Sequence, residues 1–431
     1  MRIGVGIVLI LLFSDCLLQN NKRGYDNEDE IPEYLLDFEN LTIYPQDADP
    51  VYSIRFERDM AFEGGYQGGE DTGTYLGSMR HFTIDDSNRV YIYDNRSIHV
   101  LSPDGSYLAR MGGDGEGPGE FRSMTPVELK IQGNYLFAYD GDLQMIHIFS
   151  LETHTHFQSI VMSPDSWRDL DELQGYRPTP WETPQHYYVR NDSTVLMGFR
   201  QPFIFREDMV TATGNPNPEE EQYIRYFLMD MEGEIISDKV FEQVDVNFNP
   251  GTVRGGMVGV IPPLPSERSS LIAVSDDGHI FSAWAEDFFI EVHSPDGEYL
   301  RAFYHPYTKS SLNNEDILHY SYGSVPRQIQ RDLRNADFPE TWPALNIMLL
   351  DDENRLWIST ITDDEEQYVW WVLDQYGELL AQFQWPGQRL YRHSEGNKIV
   401  TIKNGYLYTH ETDEESGVEQ IVRYRVKMLE I

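Results

Sequence analysis

Acidic side chains close two of the predicted strands and give the chain its clearest potential for metal chemistry. Asp94 follows the strand-like run VYIY, and Asp140 and Asp142 follow LFAY. Carboxylate oxygens gathered around one point bind Ca²⁺, so these three residues form a candidate calcium site. The same residue types also cap turns through bonds from side chain to backbone. The sequence leaves both interpretations open, and no other cofactor is expected.

Three histidines form a second group of potential ligands. His154 and His156 alternate in sequence, and together with His147 they could bind a transition metal. No acidic or cysteine ligand stands at a matching spacing. The chain also lacks the Gly-x-Ser-x-Gly and His-Glu-x-x-His motifs of hydrolases. No catalytic residue is therefore predicted, although a triad assembled from distant segments would leave no local motif.

Three arginines lie on one face of a predicted helix within residues 305–342. Arg327, Arg331 and Arg334 are spaced i, i+4 and i+7. On so acidic a chain they either bind an anionic ligand or partner, or pair with the protein's own carboxylates.

Aromatic residues offer a last candidate surface. Five tryptophans could stack on a glycan, but in a β-rich chain tryptophan usually belongs to the core; they are Trp342, Trp357, Trp370, Trp371 and Trp385.

Charge and composition limit the classes of partner. The chain of 431 residues has 33 Lys and Arg against 72 Asp and Glu, a formal net charge of −39. Nucleic acids and anionic lipid surfaces bind basic proteins, so neither is expected as a partner of the protein surface. Seven Lys among so many carboxylates are typical of proteins adapted to high salt. With 40% apolar residues the chain can bury a large core.

The N-terminus predicts export. Arg2 precedes an apolar run of 11 residues, Ile3 to Phe13, which is the length of a signal-peptide core. Cys16 is the only cysteine and follows this run at once. The arrangement resembles a bacterial lipoprotein signal, in which this cysteine is lipidated, although Asp15 replaces the usual small residue. We expect residues 1–16 to be a signal, residues 17–50 a hydrophilic tether, and the protein to be lipid-anchored in the cell envelope.

A repeat determines the predicted fold. One strand–turn–strand pattern recurs six times, and in five cases a second hairpin follows it. Four antiparallel strands in each unit make one blade of a β-propeller. The six first hairpins are 81–94, 127–140, 187–199, 271–284, 346–359 and 399–410, and the second hairpins are 98–111, 146–160, 226–240, 290–303 and 370–383.

The sixth unit has only three strands before the chain ends. Residues 51–60 form a further strand-like segment and can complete this blade, which would close the ring. The sequence therefore predicts an all-β, six-bladed propeller over residues 51–431. Four weakly patterned stretches remain as insertions: 162–186, 201–222, 242–270 and 305–342.

The segment between the first two units supports this fold. It reads Gly-Glu-Gly-Pro-Gly-Glu-Phe over residues 115–121. The glycines allow a tight path from the rim to the axis, and Phe121 can anchor between blades. The chain here resembles the six-bladed propellers related to NHL repeats, and with its signal it is similar to exported propeller lipoproteins.

Two functions follow as expectations. The first is a monomeric, non-catalytic propeller lipoprotein that binds a protein or glycan partner, with its insertions shaping the recognition face. The alternative is a metal-dependent hydrolase or lyase, because propeller lactonases and lyases hold a metal near the axis. RNA binding, which some NHL propellers perform, is disfavoured by the net charge.

Overall fold

The computed structural model describes residues 31–67, 74–122, 127–162, 186–200, 223–245, 268–313, 339–387 and 398–431. It is a six-bladed β-propeller, as predicted, and every blade is a four-stranded antiparallel meander. From the axis outward, the strands of blade 1 are Phe82–Ile84, Val90–Asp94, Ser97–Leu101 and Tyr107–Met111; of blade 2, Glu128–Gln132, Tyr135–Asp140, Met145–Ser150 and His156–Val161; of blade 3, His186–Val189, Val195–Arg200, Tyr223–Met229 and Phe241–Val244. Those of blade 4 are Ser270–Val274, Ile280–Trp284, Phe289–His293 and Tyr299–Tyr304; of blade 5, Leu345–Leu350, Leu356–Ile361, Gln367–Leu373 and Leu379–Pro386; of blade 6, Lys398–Lys403, Tyr406–Thr412, Glu419–Glu430 and Tyr52–Glu63.

The hydrophobic core lies between the blades. Each of the six junctions contains its own cluster of buried apolar side chains. Large aromatics fill these junctions: Tyr91 and Trp357 are fully buried. Alternating side chains place one apolar set on each face of a strand, so every blade can pack against both neighbours. This arrangement explains why all six repeats need the same pattern.

The ring closes through the early strand of blade 6, as predicted. Tyr52–Glu63 pairs antiparallel with Glu419–Glu430, from Tyr52 opposite Glu430 to Glu63 opposite Gln420. A bulge between Arg58 and Met60 shifts the register. The long pair leaves no unpaired edge between the first and last parts of the propeller.

Residues 31–50 depart from the hydrophilic tether that the sequence suggests. Glu33–Asp37 forms a 3₁₀ helix, and Leu41–Ile43 adds a fifth strand, parallel to the outer strand of blade 4. Leu35 is fully buried against Phe289. The prediction of a tether was wrong here because isolated apolar residues in a polar segment are enough to dock it. We call residues 31–50 the N-terminal arm.

Blade 3 also differs from the sequence-based boundaries. Its outer strand is Phe241–Val244, which lies mostly within the predicted insertion 242–270. Before it, the Ser237 hydroxyl accepts a hydrogen bond from the Leu228 backbone N–H at 2.8 Å. This bond replaces a strand-to-strand bond and delays regular pairing.

The segment that links blades 1 and 2 adopts the tight path that its glycines predict. Gly119 has φ +77°, and a Cβ there would lie 2.8 Å from Cβ of His156. Phe121 is fully buried, with its ring 5.3 Å from that of Tyr93 in blade 1 and 6.0 Å from that of Phe149 in blade 2. Phe121 therefore anchors the two blades together.

The turn after the inner strand is built in the same way in blades 1 and 5. In blade 5, Asp351 accepts hydrogen bonds from the backbone N–H groups of Glu353 and Arg355, from Arg355 Nε at 2.7 Å and from Trp357 Nε1 at 2.8 Å. Asp85 makes the corresponding bonds in blade 1. A single buried carboxylate thus fixes the turn at the end of the ring where the inner strands finish.

Candidate functional site at the mouth of the ring

The six inner strands all begin at one end of the ring, and a polar residue stands at the first position of each strand or directly beside it. All six keep contact with solvent. We call this set the channel mouth; its members are His81, Glu128, His186, Ser270, Asn346 and Lys398. Ligands of propellers that enclose a central channel can be bound where the channel opens.

One side of the mouth, between blades 6 and 1, is organised by Glu419. Its carboxylate accepts hydrogen bonds from the Met79 backbone N–H at 2.9 Å and from Arg80 at 2.9 Å, and it lies 3.2 Å from His410 Nε2. Burial alone would raise the pKa of Glu419, but these bonds outweigh it and the pKa is lowered. Glu419 is therefore a negative charge that is held in place by hydrogen-bond partners from both blades.

Lys398 and His81 stand beside this carboxylate. Lys398 lies directly opposite His410 on the neighbouring strand. Burial lowers the pKa of His81, and the charges of Lys398 and Arg80 lower it further, so the imidazole is neutral at pH 7. Lys398 keeps an exposed surface, yet the protein atoms around it displace water and lower its pKa.

A hydrogen-bonded chain forms the opposite side of the mouth, in blade 3. Gln243 Nε2 donates to the Tyr226 hydroxyl at 2.7 Å, and the hydroxyl lies 2.7 Å from His186 Nδ1. Tyr226 is fully buried and its pKa is well above the usual value because of this burial. The chain orients the His186 ring at the mouth.

The inner strands of blades 2, 3 and 4 are joined by polar contacts next to this chain. Lys130 pairs with Glu128 at 2.8 Å and its ammonium lies 5.4 Å from the ring centre of Tyr188. The Tyr188 hydroxyl donates to the backbone carbonyl of Ile272 at 3.4 Å. These contacts hold adjacent blades at a fixed spacing around the axis.

Two of the three carboxylates of the candidate calcium site accept hydrogen bonds from backbone N–H groups. Asp140 is fully buried and accepts hydrogen bonds from the N–H groups of Arg122, Asp142 and Leu143 at 2.8–3.1 Å. Asp94 accepts one from the Gly77 N–H at 2.7 Å. These bonds match the turn-capping interpretation. Within the described ranges, no group of three His, Cys, Asp or Glu side chains is arranged to hold a metal ion.

The histidine group is split by the structure. His147 Nδ1 and His156 Nε2 lie 2.9 and 2.8 Å from the hydroxyl of Ser159. His154 instead turns toward blade 1, where its Nε2 is 3.4 Å from Arg89. The first two rings pack beneath the link between blades 1 and 2, so their role is structural.

The remaining sequence candidates lie in the core or outside the described residues. Trp342, Trp357 and Trp370 are buried in the core. Cys16 and the arginines Arg327, Arg331 and Arg334 fall outside the described ranges. In the described part of the chain, no helix is both long and apolar enough to cross a membrane.

Sequence reasoning missed the channel mouth. His81, His186 and Lys398 belong to no motif, and they lie far apart in the chain. The available signal was positional: each is a polar residue at the start of an inner strand or directly beside it. A comparison of the first inner-strand position across all six repeats would have identified these residues.

Comparison with known proteins supports the fold class. A family model described as a 6-bladed beta-propeller, DUF5128, matches residues 74–194. The protein is thus a six-bladed propeller by both its architecture and this partial family match. No curated protein shows significant sequence similarity to the chain.

Several solved structures are similar at low identity. A candidate exported protein of Bacteroides fragilis is 12% identical, with 90% of this chain and 99% of that one covered and a TM-score of 0.46. A member of the DUF4221 family from Bacteroides vulgatus is 10% identical, with 88% and 99% covered and a TM-score of 0.46. A luciferin-regenerating enzyme is 8% identical, with 85% and 95% covered and a TM-score of 0.37. These likenesses carry no argument about ligand or activity.

Proposed function

We propose that the protein is an exported, lipid-anchored propeller that binds a small polar ligand at the channel mouth and does no chemistry of its own on a metal. The observation that carries this proposal is that six polar residues, at or directly beside the starts of the inner strands, lie at one end of the ring. Rigid blades hold these residues, as binding sites require.

The charge of the mouth supports a ligand that is neutral or weakly anionic. Around the axis, the cations Arg80, Lys130 and Lys398 accompany the carboxylates Glu128 and Glu419. The whole chain has a net charge of −39. The mouth thus carries groups of both signs on a strongly negative molecule, and highly charged anions would be repelled before they reached it.

The opposite end of the ring offers less for recognition. There, tight turns are saturated by internal bonds, as at Asp85 and Asp351. By contrast, the outer strands end and the inner strands begin at the mouth. We therefore assign binding to the mouth, and we assign a stabilising role to the turns at the opposite end.

Binding is tested by a thermal-shift screen of neutral sugars and small carboxylic acids. We expect a ligand that raises the melting temperature of the wild type but not of His186→Ala. Asp276→Asn, an exposed change at the opposite end of the ring, is the matched control and should respond like the wild type. A ligand that stabilises all three proteins equally, or a lactone that the purified protein hydrolyses, would overturn the proposal.

The lipid anchor is tested separately. The protein produced with its full N-terminus should enter the detergent phase on Triton X-114 separation, and Cys16→Ala should move it to the aqueous phase. A Cys16→Ala protein that still enters the detergent phase would contradict lipidation of this residue.

A further inference from the structure

Lys398 is exceptional among the lysines that the structure describes. Six lysines fall within the described ranges, and five of them form ion pairs with carboxylates: Lys130 with Glu128, Lys239 with Glu242, Lys309 with Glu286, Lys403 with Asp86 and Lys427 with Glu57. Lys398 forms none with the described residues. On a chain with 72 acidic residues, a lysine that forms no ion pair with the described residues is unusual, and Lys398 lies at the channel mouth.

The surroundings of Lys398 disfavour its charged form. Arg80 and His81 approach from blade 1, and His410 lies opposite on the next strand. Glu419 is the nearby carboxylate, but it is occupied by Arg80, His410 and a backbone N–H. The neighbouring inner strand of blade 5, Leu345–Leu350, carries no ionisable side chain. Burial lowers the pKa of the amine, and no carboxylate of the described residues is paired with it.

We propose that Lys398 is a nucleophilic amine that captures a small aldehyde or ketone at the channel mouth as a reversible imine. This inference deepens the proposed function and rests on the use of the mouth as a binding site. A neutral primary amine attacks carbonyl carbon, whereas an ion-paired ammonium has no lone pair to do so. Exposure of Lys398 leaves the amine accessible to a ligand that enters along the axis.

The reaction balances without a further reagent. The amine nitrogen of Lys398 bonds to the carbonyl carbon, and a proton passes from nitrogen to the carbonyl oxygen to give a carbinolamine. Loss of water then forms the C=N bond, and hydrolysis reverses both steps. The neutral imidazole of His81, beside the amine, can accept and return the proton. The ligand is a small carbonyl compound without strong negative charge.

The test uses butyraldehyde with cyanoborohydride, which reduces any imine to a stable secondary amine. The intact folded protein is treated at pH 7.5, and peptide mass spectrometry measures the rate at each lysine. Lys427 is the internal control, since its side chain is 44% exposed and paired with Glu57 at 2.6 Å. Each unit by which a pKa falls raises the neutral fraction of an amine about tenfold below that pKa. We therefore expect Lys398 to react measurably faster than Lys427 at this pH.

Because both lysines are compared within one sample, no variant has to fold for the result to count. At pH 11 the advantage of Lys398 should shrink, since its own neutral fraction can then rise little further. Equal rates at pH 7.5, or preferential labelling of Lys427, would overturn the inference. The proposed binding function is tested separately from imine formation. Lys398→Arg should abolish imine formation at this position. Whether the mouth binds ligands at all is decided by comparing the response of the wild type and of His186→Ala to a non-carbonyl ligand.

Discussion

Replacing His305 by glutamine should make the stability of the protein less sensitive to acid. His305 is buried between blades 4 and 5, with its ring stacked on Tyr44 of the N-terminal arm at 4.5 Å. Its Nε2–H donates to the carbonyl oxygen of Gly377 at 2.8 Å. Burial lowers the pKa of His305 to about 4 from 6.5, although the bond to Gly377 opposes the shift. Glutamine can still donate to this carbonyl but does not titrate.

The sign and size follow from linkage. The folded state holds His305 neutral, whereas the unfolded chain takes up a proton below pH 6.5. The contribution to stability is therefore complete above pH 6.5 and is lost as the pH falls toward 4. At pH 5 the loss is about 2 kcal/mol, and it reaches about 3 kcal/mol below pH 4. His305→Gln removes this loss, whatever packing it costs at neutral pH.

Urea denaturation followed by tryptophan fluorescence measures the effect, because Trp371 lies beside His305 with ring centres 5.5 Å apart. The difference in unfolding free energy between His305→Gln and the wild type should shift in favour of the variant by about 2 kcal/mol between pH 8 and pH 5. His279→Gln, at a side chain that is 36% exposed, is the control. A difference for His305→Gln that is the same at both pH values would refute the reasoning.

Three further predictions concern the fold. Phe121→Ala should lower the unfolding free energy by about 3–5 kcal/mol, measured in urea, because it opens a cavity between blades 1 and 2; a loss below 1 kcal/mol would contradict its role as an anchor. Asp351→Asn should lower the unfolding free energy by about 3 kcal/mol because Arg355 loses its buried charged partner. An unchanged unfolding free energy would show that the turn is stable without this carboxylate. Leu35→Asp should release the N-terminal arm, seen as new proteolytic cleavage before residue 50 with the propeller intact; unchanged cleavage would mean that the buried contact is not what holds the arm.

The sequence predicts the propeller well because its information is repeated. Each blade contains its own turn signals and alternating apolar residues, so six weak patterns support one another. The sequence also predicts how the ring closes, because the last unit has only three strands and a strand-like segment near the N-terminus can supply the fourth. The outer strand of blade 3 was misplaced because the side chain of Ser237 takes over a backbone bond, which no periodic pattern reveals.

The candidate site was predicted far less well than the fold. The carboxylates Asp94 and Asp140 suggested a metal site from their types, but type does not tell whether a carboxylate is already saturated by backbone N–H groups. Conversely, His186 and Lys398 have no local motif. Their meaning arises only when inner strands more than 200 residues apart in sequence face one axis.

The closure of the ring has a consequence for how the protein is made. Ser53 and Leu429, which are hydrogen-bonded neighbours in blade 6, are 376 residues apart in sequence. A chain is synthesised and exported with its N-terminus first. The strand Tyr52–Glu63 therefore stays unpaired until its partner Glu419–Glu430 has been made. The ring can therefore close only after the whole chain has been synthesised and exported. A prematurely truncated product would keep an unpaired sheet edge, which favours aggregation and which quality-control proteases can recognise.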